Sequence, residues 1–101
     1  MYKSIILPLA KEDITNAALW YEEKQTGLGK RFTQQVREKV YFIKENPKAC
    51  NIRYDNVRTA VLNMFPFMLH YIVDENNKTV VISALLHTRR NPDLWKKREN
   101  K

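Results

Sequence analysis

The apolar residues of this 101-residue chain change their spacing at Asn46-Pro47, and that change limits the fold more than any other feature. Ahead of it they recur at helical intervals. Behind it they alternate or gather in β-branched and aromatic runs. A chain patterned this way keeps its helices apart from most of its strands, which is the α+β class.

Residues 2–7 are rich in isoleucine and stop at Pro8, so they read as a short strand. Pro8 suits the first turn of a helix, where a missing N–H costs little. Glu12 and Asp13 fall early, where negative charge complements the helix dipole. Ile14, Ala17, Ala18 and Tyr21 form one apolar stripe, and Gly27 is a natural stop. Gly29 opens a second helix, in which Phe32, Val36, Val40 and Ile43 recur until Asn46-Pro47 closes it. The link around Thr26–Gly29 is so short that the two helices must form an antiparallel hairpin. Trp20, Tyr21 and Phe32 are expected to pack within that hairpin.

Three strands follow, at Val57–Leu62, Phe67–Val73 and Thr79–Leu86. Asn63–Pro66 and Asp74–Lys78 separate them by hairpin-like lengths, which predicts an antiparallel meander. In the middle strand Phe67, Leu69, Tyr71 and Val73 share one face, and Met68, His70 and Ile72 the other. Pro92 and Asp93 open a short C-terminal helix that ends in Lys96-Lys97-Arg98. Residues 1–101 thus read as one domain. It has an N-terminal strand, an antiparallel two-helix hairpin packed on one face of an antiparallel sheet of about four strands, and a short C-terminal helix. The other sheet face is left available for a partner.

Charge narrows the partners. The chain has 18 Lys+Arg against 11 Asp+Glu, a net charge of +7, which draws it toward nucleic acid, acidic protein or anionic lipid without choosing among them. No stretch approaches the roughly 20 apolar residues of a membrane span, and the N-terminal apolar run is too short for a secretory signal. A cytoplasmic location follows as an expectation. Cys50 is the lone cysteine and sits in a loop, so it reads as a bystander thiol. With two histidines and one cysteine, none at ligand spacing, neither a metal nor a cofactor is expected.

Several local patterns agree in order and spacing. They are Pro8-Leu9-Ala10-Lys11-Glu12-Asp13-Ile14, Ala18-Leu19-Trp20-Tyr21-Glu22-Glu23, Gly27-Leu28-Gly29-Lys30-Arg31-Phe32 and Ile43-Lys44-Glu45-Asn46-Pro47. Val57-Arg58, Phe65-Pro66-Phe67, Tyr71 and His87-Thr88-Arg89-Arg90-Asn91-Pro92 continue the series. Over nearly its whole length the chain resembles the RelE/ParE superfamily of type II toxins, often called plasmid-stabilisation proteins. The resemblance implies a cognate antitoxin that wraps the toxin in an extended segment, and the positive charge suits an acidic one. It also implies one of two targets. RelE-like members are ribosome-dependent mRNA endonucleases, whereas ParE-like members inhibit DNA gyrase and are not enzymes.

RelE-like chemistry uses lysines and an arginine on the central strands, an arginine after the last strand and a tyrosine near the C-terminus. At the matching positions this chain reads Thr59 and Val61 for the lysines, Met68 for the central arginine and Trp95 for the tyrosine. Only the arginine after the last strand is kept, as Arg89. The ParE-like reading is therefore preferred. A different cluster remains: Arg58, His87, Arg89 and Arg90.

If the chain is a ribonuclease, His87 and Arg89 are the catalytic pair, since histidine side chains titrate near neutrality and a guanidinium stabilises phosphate charge. Otherwise His87 is a structural or partner-binding residue. Arg58, Arg90, Trp95, Lys96, Lys97 and Arg98 are the candidates for holding a target or a phosphate. Each has a plainer alternative. Arg58 could pair with Asp55, Trp95 could cover the core edge, and the basic tail could be solvated charge. His70, mid-strand among apolar neighbours, reads as a satisfied sheet histidine unless its face is open. A third reading is a non-toxic antitoxin-binding module.

Overall fold

A computed structural model describes residues 1–89. The elements run β1 (Lys3–Ile6), α1 (Pro8–Lys24), α2 (Leu28–Glu45), β2 (Ile52–Tyr54), β3 (Val57–Val61), β4 (Phe67–Asp74) and β5 (Thr79–His87). The expected short C-terminal helix lies outside the described residues.

The five strands make one sheet in the order β1-β5-β4-β3-β2. The meander β3-β4-β5 is antiparallel, as its hairpin connections require. Two features differ from the sequence reading of an antiparallel, roughly four-stranded sheet. Ile52–Tyr54 adds a fifth strand, turned back on β3 through Asp55-Asn56, with Asp55 at φ 47°. β1 pairs with β5 in parallel, Lys3 opposite Thr79 through Ile6 opposite Ile82, so the sheet is mixed. Everything between those two strands is crossover, and a parallel neighbour needs one.

The helical hairpin forms where the sequence places it. Pro8 occupies the first turn of α1. Gly27 precedes α2 with φ 89°, a left-handed conformation that residues with a Cβ adopt at a cost. Phe32, Val36, Val40 and Ile43 face inward, and with Leu69, Tyr71, Val80 and Ile82 they form the core between helices and sheet. Phe32 is ringed by Tyr21, Phe65 and Phe67, with centroids 5.0 to 5.5 Å away.

The first turn of α1 holds no acidic residue, so Glu12 and Asp13 do not serve the helix dipole there. The Asp13 Oδ2 atom instead accepts the Leu85 N–H at 3.1 Å. β1 stops at Ile6, so the outer edge of β5 beyond Ile82 runs without a strand beside it. Asp13 supplies the acceptor that a strand would have provided.

The sheet face away from the helices is more closed than the sequence suggests. His70, Met68, Ala84 and Leu86 are all buried there, with Tyr54 packed over the last three. The Tyr54 hydroxyl and His70 Nδ1 are 2.9 Å apart. Val61 is the residue of this face that stays exposed on β3.

Candidate functional site

β5 ends at His87, directly opposite Phe67 on β4. Alternation along the strands turns both side chains toward the helices. The His87 ring stands edge-on to Phe67, with centroids 5.3 Å apart and planes at 72°. Its Nδ1 accepts the Arg89 backbone N–H at 3.1 Å. That bond fixes the tautomer: Nδ1 is the acceptor, so a neutral ring carries its hydrogen on Nε2. The remaining nitrogen can then donate a hydrogen bond to a partner but cannot take a proton from a hydroxyl.

The opposing wall is α1. Asp13, Asn16, Ala17, Trp20 and Tyr21 recur at helical spacing and so share one side of it. Between this wall and the ends of β4 and β5 runs a groove of about 670 Å³, closed below by Phe67 and Leu85. Trp20 is 53% exposed, edge-on to Tyr21, with the Lys24 ammonium 4.8 Å from its ring centre. Burial pushes the Tyr21 hydroxyl above its usual range, so it enters the groove as a neutral polar group. The site is therefore an apolar cleft with a few polar groups on its rim, among them His87 and Asp13, and an exposed indole at its mouth. Such a cleft suits a protein segment better than a string of phosphates.

Arg58 is not part of it. It lies opposite Tyr71, four residues along β4 from Phe67, or about 13 Å at the usual rise per strand residue. Its Nη1 donates to the Cys50 carbonyl at 2.6 Å and the Lys48 carbonyl at 3.4 Å. Beside it the Tyr71 hydroxyl donates to the Pro47 carbonyl at 2.9 Å. These bonds pin the loop after α2 to the sheet. Burial, together with the Cys50 thiol close by, pushes the Tyr71 hydroxyl well up. Lys48 in the same loop is ion-paired with Glu75 and holds that carboxyl below its usual range. Asp55, the carboxylate that the sequence offered to Arg58, occupies the β2–β3 turn instead.

The structure thus sets the Arg89 main chain against the His87 ring and leaves Arg58 at the other end of the strands. Arg90, Trp95, Lys96, Lys97 and Arg98 lie outside the described residues. Of the positions matched to a ribonuclease set, Thr59 and Met68 are buried and Val61 is exposed. Among the described residues no group of three or more His, Cys, Asp or Glu could hold a metal ion. The sequence reading missed the α1 wall, placing Trp20 inside the hairpin. The available signal was Leu9, Leu19 and Trp20, large apolar residues off the buried stripe of α1, and all three are exposed.

The family model for the ParE toxin of type II toxin–antitoxin systems, parDE, matches residues 5–92. No curated protein matches the chain significantly in sequence. Among solved structures, the fold is similar to the toxin in the intact E. coli RelBE toxin–antitoxin complex. That match has TM-score 0.67 and 17% identity, over 89% of this chain and 100% of that one. It is similar to the isolated E. coli RelE toxin, with TM-score 0.66 and 16% identity over 99% and 98% of the two chains. It is also similar to a chain of the chromosomal ParDE system of P. aeruginosa, with TM-score 0.63 and 19% identity over 86% and 96%. At such identities these likenesses speak to the fold.

Proposed function

The chain belongs to the ParE toxin family of type II toxin–antitoxin systems, and from that membership we propose that it acts in the cytoplasm by binding and inhibiting DNA gyrase, restrained by a cognate antitoxin. The observation that carries this reading is the absence of the cationic set on the central strands. Where metal-free RNA cleavage needs cations to neutralise phosphate charge, this chain has Thr59, Val61 and Met68, two of them buried. The tautomer of His87 supports the same side, because its acceptor nitrogen is already engaged by Arg89. On this reading the groove between α1 and β5 is the contact surface, with Trp20 as its anchor and His87 and Arg89 on its rim.

The experiment is gyrase-driven supercoiling of relaxed plasmid in the presence of the purified chain. Loss of supercoiling is expected, and gyrase unaffected at large molar excess would end this reading. The second reading, ribosome-dependent mRNA cleavage, draws on the kept Arg89 beside His87. A translating extract separates the two. Transcripts cut only in the presence of ribosomes would establish the endonuclease and make His87 and Arg89 its catalytic pair. Harmless expression without any antitoxin would point instead to a non-toxic antitoxin-binding module.

A further inference from the structure

The net charge of +7 is not spread evenly over the fold. α1 carries two cations against four carboxylates, whereas α2 carries five against two. The carboxylates of α2, Glu38 and Glu45, are two turns apart and share one line of the helix. Arg37 and Lys44 are also two turns apart and share another, with Tyr41 between them. At the rise of an α-helix these two cations stand about 10 Å apart along its axis.

The basic line runs on into the sheet. Arg37, Tyr41 and Lys44 border a concavity of about 320 Å³ with Ile6 of β1, and no carboxylate lines it. The Lys44 carbonyl accepts the Tyr2 N–H at 3.1 Å, and the Lys3 N–H donates to the Lys78 carbonyl at 2.9 Å. The Lys78 ammonium lies 5.6 Å from the Tyr2 ring centre. A continuous strip thus passes from α2 across β1 to the β4–β5 turn, carrying Arg37, Lys44, Lys3 and Lys78. Lys44 is half-buried and the other three are exposed. Among the described residues none of the four is ion-paired. Glu75, whose carboxylate feels Lys78, is held by Lys48. A row of like charges repels itself, and a polyanion laid along it removes that cost.

We propose that this strip binds the phosphate backbone of duplex DNA, without preference for sequence. The duplex presents one negative charge per about 1.7 Å of its axis, and cations that neutralise its phosphates release condensed counterions. An extended acidic polypeptide carries at most one charge per residue, or about 3.3 Å, so it matches the strip less densely. Lysines and arginines on long stems contact phosphates and set position, which is the contact available here. Single-stranded nucleic acid needs aromatic platforms for its bases. On this strip the Tyr2 ring already faces Lys78, which leaves Tyr41. Proteins that select duplex RNA contact 2′-hydroxyls with polar side chains across a shallow groove. Between Arg37 and Lys44 the strip offers one tyrosine for that. The inference does not rest on the gyrase reading, because the concavity at Arg37 and Lys44 shares no residue with the α1–β5 groove.

The test uses the full chain and a fluorescein-labelled DNA duplex of mixed sequence, with anisotropy read over a series of salt concentrations. Wild-type binding is expected at low salt, indifferent to sequence and falling steeply as salt rises. Arg37→Glu with Lys44→Glu is expected to weaken it about tenfold or more and to lower the salt slope by about two. Lys3→Glu with Lys78→Glu changes exposed positions in a strand and a turn. It should have the same effect, and it keeps the proposal readable if the helix variant does not fold. The control is Arg31→Glu with Lys39→Glu, an equal change of charge on the flank of α2 that reaches Met64 and Asn63. Its loss is expected to stay within about threefold. No binding by the wild-type chain at low salt overturns the proposal. So does an equal loss in the control, which would leave a net-charge effect and no site. Tighter binding of a duplex RNA, of polyglutamate or of phosphatidylglycerol vesicles at the same salt would assign the strip to that partner and overturn it as well.

Discussion

Glu22 of α1 caps α2. Its Oε2 accepts the Gly27 N–H at 2.9 Å and its Oε1 the Gly29 N–H at 3.0 Å. The first amides of a helix have no partners within it, and Gly27 has no side chain to offer. The carboxylate of the neighbouring helix therefore does the capping, and a negative charge there also suits the dipole. The two helices must be close for this. A Cβ on Gly29 would lie 2.5 Å from the Ala18 carbonyl oxygen and 3.0 Å from the Glu22 side chain.

Two substitutions test that joint. Glu22→Ala is expected to cost about 1–2 kcal/mol, the usual loss for a cap. Gly29→Ala is expected to cost about 1–3 kcal/mol, because the carbonyl it meets is backbone and cannot swing aside. The double variant should cost less than the sum, since pushing the helices apart already weakens the cap. Urea unfolding of the three variants measures this. Strict additivity would mean that the cap and the close approach are independent.

The joint also marks the limit of what the sequence conveys. The two glycines and the helical stripes are local signals, so the hairpin was legible from spacing alone. That Glu22 serves Gly29, or Asp13 serves Leu85, depends on how separate elements pack, and no local pattern announces it. β2 was missed because Ile52–Tyr54 is too short for alternation to register. The parallel pairing of β1 with β5 was missed because the partners lie some seventy residues apart. For the site, strand ends were readable, so the sequence puts His87 and Arg89 at the end of β5. The α1 wall was not, because Trp20 on an amphipathic-looking helix reads as core until its neighbours are placed. Arg58 showed the reverse: a charged residue at a strand start looks functional, yet here it is spent on carbonyls.

Tyr71 gives the fold an alkaline weakness. Its hydroxyl is buried on the Pro47 carbonyl, and its folded pKa lies above that of an unfolded tyrosine. The neutral form is thus favoured by folding. Its contribution is complete below about pH 10, where an unfolded tyrosine titrates, and is lost as pH rises from there toward the folded value. Tyr71→Phe should cost about 1 kcal/mol at neutral pH through the lost hydrogen bond. It should also flatten the fall in stability above about pH 10. Denaturant melts at pH 8 and at about pH 10.5 compare the two proteins. An equally steep alkaline fall in the variant would assign the weakness to other groups.

Phe32 is the keystone of the aromatic cluster. It is fully buried among Tyr21, Phe65 and Phe67. Phe32→Ala should cost about 3–5 kcal/mol, a large part of the stability of a domain this size. Phe32→Leu should lose much less, because most of the volume is kept. Thermal unfolding followed by far-ultraviolet circular dichroism ranks them. Near-equal losses would mean that the cluster collapses around the smaller side chain.

Arg58 and Trp20 make opposite predictions, and the pair tests which surface acts. Arg58 holds the loop after α2 through the Cys50 and Lys48 carbonyls, so Arg58→Ala should cost about 1–3 kcal/mol of stability. Its toxicity should fall only as far as the folded population falls, and should recover when cells are grown at lower temperature. Trp20 is half exposed over the groove and supports little of the core, so Trp20→Ala should change stability by less than about 1 kcal/mol. Anchoring aromatics carry much of the energy of protein interfaces, so the same change should weaken inhibition of the target by tenfold or more at every temperature. Growth arrest after induction, read beside the melting curve of each purified variant, separates the two. Full toxicity in Trp20→Ala would move the contact surface off the groove. Lost toxicity in a well-folded Arg58→Ala would return that arginine to the acting surface, where the sequence first placed it.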